Sequence, residues 1–185
     1  MRKLLSTQKL LLGAYAVFSL AGCPPAPAGD AKTGNLPTAA TATIEPRSNS
    51  AISGTATFEQ VDNKVKVVVE VSGAAPGQHG LHIHEKGDCT DPAGKSAGDH
   101  FNPSKMQHGS PDNPVHHAGD FGSITVGDDG KGRLELVTDR LTIASGDNAV
   151  IGRAIILHEK VDDTVTQPSG NSGARIGCGV ISAKQ

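Results

Sequence analysis

Seven side chains able to ligate a metal, His82, His84, His100, His108, His117, Asp120 and His158, lie along one stretch of this chain, and a fold that gathers them is far more constrained than one that does not. Taken singly, a histidine is more often a solvated or hydrogen-bonded residue than a ligand, so the pattern has to carry the inference. In the segment Gln78-His79-Gly80-Leu81-His82-Ile83-His84 an apolar residue separates two histidines. On a strand, positions i and i+2 share a face, so His82 and His84 can grip one ion together. His117 and Asp120, three apart, suit a second ion. The donors are imidazoles and one carboxylate with no thiolate, which favours copper or zinc over calcium, magnesium or iron–sulfur chemistry. Two separate four-coordinate sites need eight side chains, and seven suffice only if one serves both metals; His100 is the natural bridge. His79 and His116 stand outside the set. His79 precedes the strand pair and can lock a turn through its ring, and His116 points away from His117 on an extended backbone.

The first twenty-two residues read as an export signal: Arg2, Lys3 and Lys9 supply a positive start, Leu10 to Leu20 an apolar stretch too short to span a membrane, and Leu20-Ala21-Gly22-Cys23 a small-residue cleavage site. A Cys directly after such a site resembles the lipobox of bacterial lipoproteins, which implies a lipid on Cys23 and a membrane tether; the alternative is an ordinary signal peptide with a coincidental Cys. From Pro24 to about Asn49 the chain is rich in Pro, Ala, Thr and Gly with scarcely a large apolar residue, and reads as a flexible spacer. The division expected is therefore a signal over residues 1–22, a tether over 23–49 and one folded domain over 50–185. Without the signal, fourteen basic residues face nineteen acidic ones, a formal charge of −5, which speaks against a nucleic-acid role. With Cys23 assigned to lipid, Cys89 and Cys178 remain. In an exported protein an even pair reads as a disulfide, the alternative being two buried thiols.

Periodicity predicts an all-β domain. Gly54 to Gln60, Lys64 to Val71, Gln78 to Glu85, Asp120 to Val126, Gly132 to Thr138, Val150 to Leu157 and Ile176 to Ile181 read as strands, with turns at Val61-Asp62-Asn63 and Gly127-Asp128-Asp129-Gly130. Short alternating strands with Gly-rich turns imply a β-sandwich or flattened barrel. Two stretches without strand pattern, about Lys86 to Gly119 and Glu159 to Arg175, are long loops flanking the histidines.

Gly80-Leu81-His82-Ile83-His84-Glu85, Gly98-Asp99-His100-Phe101-Asn102-Pro103, His117-Ala118-Gly119-Asp120, His158-Glu159-Lys160 and Gly170-Asn171-Ser172-Gly173-Ala174-Arg175-Ile176-Gly177-Cys178-Gly179 together resemble the copper/zinc superoxide dismutases over the whole folded domain. The resemblance implies an eight-stranded Greek-key β-barrel, an immunoglobulin-like flattened sandwich with two functional loops. It implies copper on His82, His84, His100 and His158, and zinc on His100, His108, His117 and Asp120. Asp162 would link a ring nitrogen of His82 to one of His108; Arg175 would dock the anionic substrate, superoxide; Cys89 and Cys178 would form the family's disulfide. The reaction implied is dismutation of superoxide to dioxygen and hydrogen peroxide, with His100 and Arg175 as the catalytic side chains and His100 delivering a proton.

Two features depart from the eukaryotic pattern. The Asp162 to Gln167 segment lacks the Lys-bearing stretch that helps steer substrate in many relatives. Lys86 and Ala183 replace an aromatic and a bulky apolar residue where eukaryotic members dimerise, so a monomer or weak homodimer is expected. The setting implied is the bacterial cell envelope, lipid-anchored and facing the periplasm or exterior. A copper-delivery or metal-buffering lipoprotein of the same fold is the alternative function, and an intact copper set together with Arg175 argues against it.

Overall fold

The computed structural model describes residues 36–184; the expected signal, Cys23 and the first part of the tether lie outside them. Among the described residues nine strands run in chain order, β1 (Ala39–Pro46), β2 (Ser53–Val61), β3 (Lys64–Ser72), β4 (Gly77–His84), β5 (Asp120–Val126), β6 (Lys131–Thr138), β7 (Ala154–His158), β8 (Arg175–Val180) and the two-residue β9 (Ser182–Ala183). A single turn of 3-10 helix, Lys95–Ala97, is the one helical element among the described residues. Strand order is β2-β3-β6-β5-β4-β7-β8-β1, and β1 pairs again with β2, which closes eight antiparallel strands into a barrel; β9 adds to β1. The pairings β3 with β6, β4 with β7 and β8 with β1 join strands that are not consecutive, the hallmark of a Greek key. Closure removes the exposed edges that an open sheet of this size presents.

Alternation explains the core. On β3, Val65, Val67, Val69 and Val71 point inward while Lys66 and Glu70 point out; on β2, Ala56 and Phe58 meet them. The seven strands expected from periodicity are present within a few residues. The strand expected from Val150 begins at Ala154, because Arg153 N–H bonds to the Val150 carbonyl at 3.0 Å and closes a turn first.

The spacer expected over 23–49 is corrected from Ala39 onward: Ala39–Pro46 is the strand that closes the barrel. Its inward residues are Ala40, Ala42 and Ile44, all but fully buried. Two of the three are small, so the segment carried little hydrophobic signal of its own. Its order comes from partners on both sides, β2 along Ala39 to Ile44 and β8 at Glu45 and Pro46, which satisfy its backbone groups. The folded domain therefore begins before residue 50.

Candidate metal centre

On β4 the alternation that sends Leu81 and Ile83 into the barrel core sends His82 and His84 to its outer wall. The same holds on β7, where Ile155 and Leu157 face the core and His158 faces out. All of these histidines are nonetheless buried, because the two long loops roof that wall. The first loop is stitched to β4 through Phe101 N–H to the Ile83 carbonyl (2.8 Å), Gly119 N–H to Phe101 (3.0 Å) and Ile83 N–H to Gly119 (2.9 Å). Gly119 has to be glycine here, since a Cβ would strike the Ile83 carbonyl. A β-bulge sits between Gly80 and His82, and another between Leu157 and His158. Such irregularities re-aim side chains beside functional sites.

Three of the ligand candidates on the strands have one ring nitrogen committed elsewhere. His82 Nε2–H donates to Asp162 Oδ2 (2.8 Å), His84 Nδ1–H to the Gly98 carbonyl (2.9 Å) and His158 Nδ1–H to the Gly173 carbonyl (3.4 Å). Their other nitrogens, His82 Nδ1, His84 Nε2 and His158 Nε2, are buried with no hydrogen-bond partner, and so is His100 Nε2. The four residues offer donor atoms within 4.8 Å of one another. Four unpartnered buried nitrogens converging on one point are costly unless a cation occupies it, and neutral imidazoles suit copper.

The opposite nitrogen of His100, Nδ1, lies 2.9 Å from Asp120 Oδ1 and 3.4 Å from His117 Nδ1. His117 Nδ1 is 3.2 Å from Asp120 Oδ1, and His108 Nδ1 is 3.0 Å from Asp120 Oδ2 yet makes no hydrogen bond. His82 also falls within range of this second group. Its Nε2 is committed to Asp162, however, and its Nδ1 faces the first group; His117, 3.2 Å from Asp120 Oδ1, is the candidate fourth donor. Asp120 is fixed by accepting at Oδ2 from the backbone N–H groups of His117 (2.9 Å) and Gly109 (3.2 Å). Three nitrogens around one carboxylate suit zinc. The rings of His82 and His108 are tied together by Asp162, whose second oxygen accepts from His108 Nε2–H at 2.9 Å.

Electrostatics follow the packing. Burial, reinforced by neighbouring histidines and Arg175, lowers the basicity of His84 and His158 well below the usual value. Burial likewise takes His100 down to about 4 against the opposing pull of Asp120. Burial works against charge on His108 too, but the carboxylates of Asp120 and Asp162 beside its ring win and raise it to about 9. For Asp120 and Asp162 burial favours the neutral acid, and the histidines around them reverse this, holding both carboxyls below their ordinary range.

An open cleft of about 510 Å³ reaches the site, its wall including His84, His100, His158 and Arg175. Arg175 is half-buried, with Nη1–H on the Gly94 carbonyl (2.8 Å) and Nη2–H on that of Gly98 (2.7 Å). The Gly98 carbonyl thus anchors both the arginine and His84. Two acids, Glu85 and Asp99, share the cleft wall. Behind it, the Cys89–Cys178 disulfide ties the first loop to β8, and Arg47 Nε–H donates to the Cys89 carbonyl at 2.9 Å.

All the ligand candidates, Asp162 and Arg175 therefore meet in one region. His79 and His116 serve structure, as expected: the ring of His79 sits between the carbonyls of His158 and Ala75, each at 2.9 Å, and His116 Nδ1–H donates to the His117 carbonyl at 2.7 Å. What the side-chain pattern missed were backbone groups, the carbonyls of Gly94, Gly98 and Gly173. No residue-type signal marks a carbonyl.

A family profile described as copper/zinc superoxide dismutase (SODC) matches residues 52–181. A copper–zinc superoxide dismutase numbered 5 from Dictyostelium discoideum is 41% identical over 138 residues, covering 70% of this chain and 90% of that protein. A copper–zinc superoxide dismutase from Deinococcus radiodurans is 45% identical over 143 residues, covering 71% and 78%. Among solved structures, the crystal structure of the clock protein EA4 superposes with a TM-score of 0.74 at 39% identity, covering 80% of this chain and 96% of that one.

Proposed function

The chain belongs to the copper/zinc superoxide dismutase family, and on that premise we propose how its own residues divide the dismutation of superoxide to dioxygen and hydrogen peroxide. His82, His84, His100 and His158 hold copper; His100, His108, His117 and Asp120 hold zinc. When bound, copper supplies one-electron exchange with superoxide and zinc supplies a fixed charge without redox chemistry. Asp162 fixes the rings of His82 and His108 by accepting a hydrogen bond from each. Arg175, pinned by two carbonyls, presents its guanidinium to the incoming anion. His100 Nε2, when not engaged by copper, would take up a proton from solvent and pass it to the second superoxide, a further proton from water completing hydrogen peroxide, while Nδ1 stays oriented toward Asp120.

The observation that supports this reading is the division of the two nitrogens of His100 between two groups of donors. Replacing His100 by Ala is expected to weaken both metals at once. Metal content and the copper visible spectrum after dialysis test it: loss of copper with zinc retained at the wild-type level would show that His100 does not bridge. The alternative of a copper-delivery or buffering protein is not favoured, since the matched relatives are dismutases.

The proposal extends to an exported, lipid-anchored form in the bacterial cell envelope, facing the periplasm or exterior. Leu20-Ala21-Gly22-Cys23 supports it, and so does the Cys89–Cys178 disulfide, a bond that an oxidising compartment favours. Cys23→Ser is expected to move the protein from the membrane fraction to the soluble fraction. An unchanged distribution would overturn the anchor.

A further inference from the structure

We propose that Gln167 is a positioning residue for His108, clamping the backbone of that histidine from the loop on the other side of the site. The proposal rests on the assignment of His108 to zinc. The side-chain amide of Gln167 carries an acceptor and a donor on one edge, and it uses both on one residue: Oε1 accepts from His108 N–H at 2.9 Å, and Nε2–H donates to the His108 carbonyl at 2.9 Å. This is the pairing a neighbouring strand would offer, supplied by a side chain where the 85–119 loop has no strand partner. Asp162, five positions earlier on the same loop, holds the His108 ring. One loop thus fixes His108 at both ends, the backbone through Gln167 and the imidazole through Asp162.

The loop is built to deliver that grip. Asp163 Oδ1 accepts from the N–H groups of Val165 (3.0 Å) and Thr166 (2.8 Å), its Oδ2 accepts from Thr166 Oγ1–H (2.6 Å), and Gly170 N–H closes onto the Thr166 carbonyl (2.7 Å). Gln167 stands on this closed turn, so little freedom remains to be lost when its amide docks. Gly170 packs so tightly that a Cβ there would overlap Asp162 Oδ1 and His108 Nε2. A ligand whose backbone is held against both of its polar groups cannot swing away from its metal without breaking two hydrogen bonds.

The test is zinc release from the fully metallated protein into a chromogenic chelator, read with hydrogen exchange at individual amides. Gln167→Ala is expected to release zinc about ten-fold faster, in the range typical for removing a group that orients a ligand, and to lose protection at the His108 amide with β3 amides unchanged. Gln167→Glu keeps an acceptor for His108 N–H but turns a carboxylate oxygen against the His108 carbonyl; it is expected to preserve that amide's protection and still release zinc faster. Wild-type release from Gln167→Ala, with His108→Ala losing zinc, would overturn the clamp alone. Wild-type release from His108→Ala would overturn the zinc assignment and the clamp with it. Protection lost throughout β3 in Gln167→Ala would mean general loosening and would also overturn the clamp.

Discussion

Arg175 illustrates how one side chain is made specific by backbone that carries no sequence signature. Its guanidinium, able to donate five N–H groups, spends two on the Gly94 and Gly98 carbonyls and keeps the rest of its charge for the cleft. It shares the cleft wall with Glu85 and Asp99, so little else there attracts an anion and the contribution of this one cation is large. Arg175→Ala is expected to lower the second-order rate with superoxide by about ten-fold, leaving the copper spectrum nearly unchanged because the arginine is not a ligand. Pulse radiolysis of the metallated variant measures it, and a wild-type rate would sink the docking role. From sequence alone, Arg175 is a charge in a glycine-rich loop and gains a role only through family resemblance. The fold supplies the reason, in the two carbonyls that fix its direction.

At the scale of elements, the two loops are held to a rigid wall by a few specific ties, and the disulfide is one of them. Cys178 lies on β8, buried beside Ala97, Ala154 and Ile156, and Cys89 packs on that small cluster from the first loop. The Arg153 guanidinium adds a second tie, donating to the Glu85 carbonyl (2.6 Å) and lying 4.4 Å above the Phe101 ring. Reducing Cys89–Cys178 frees the part of the loop that precedes His100, His108 and His117, and zinc affinity is expected to fall while the barrel stays folded. Competition with a zinc chelator in oxidised and reduced protein tests this; equal affinities would count against the coupling. The strands themselves were legible because apolar, often β-branched residues alternate with polar ones along several of them. Ala39–Pro46 was not, because its inward face is mostly alanine and its order is owed to β2 and β8.

At the scale of the whole molecule, two surface residues bear on assembly. Lys86 is exposed with its Nζ 3.6 Å from Glu85 Oε1, and Ala183 is exposed on β9. A two-fold contact of the eukaryotic type would bury Lys86 twice and leave volume unfilled at Ala183, adding desolvation cost while losing packing. The folded domain by itself is expected to sediment as a monomer or weak dimer at micromolar concentration. A tight dimer whose contacts include Lys86 and Ala183 would refute that expectation. Tethering by a lipid on Cys23 would raise local concentration without any protein contact.

Residue type and spacing determined most of the chemistry. His82 and His84 two apart on a strand, His117 and Asp120 three apart, and a donor count one short of two full sites pointed to a bridged pair of metals before any fold was known. Strand alternation determined the all-β class for the same reason, since side-chain direction along a strand has a period of two. Tertiary structure alone decided which nitrogen of each ring is free, because that depends on carbonyls and carboxylates brought in from distant segments, such as Gly98 for His84, Gly173 for His158 and Asp162 for both His82 and His108. It also decided that an alanine-rich stretch is a barrel strand and that Gln167 faces a backbone rather than water. Both outcomes depend on partners far away in the chain, and the local sequence does not record them.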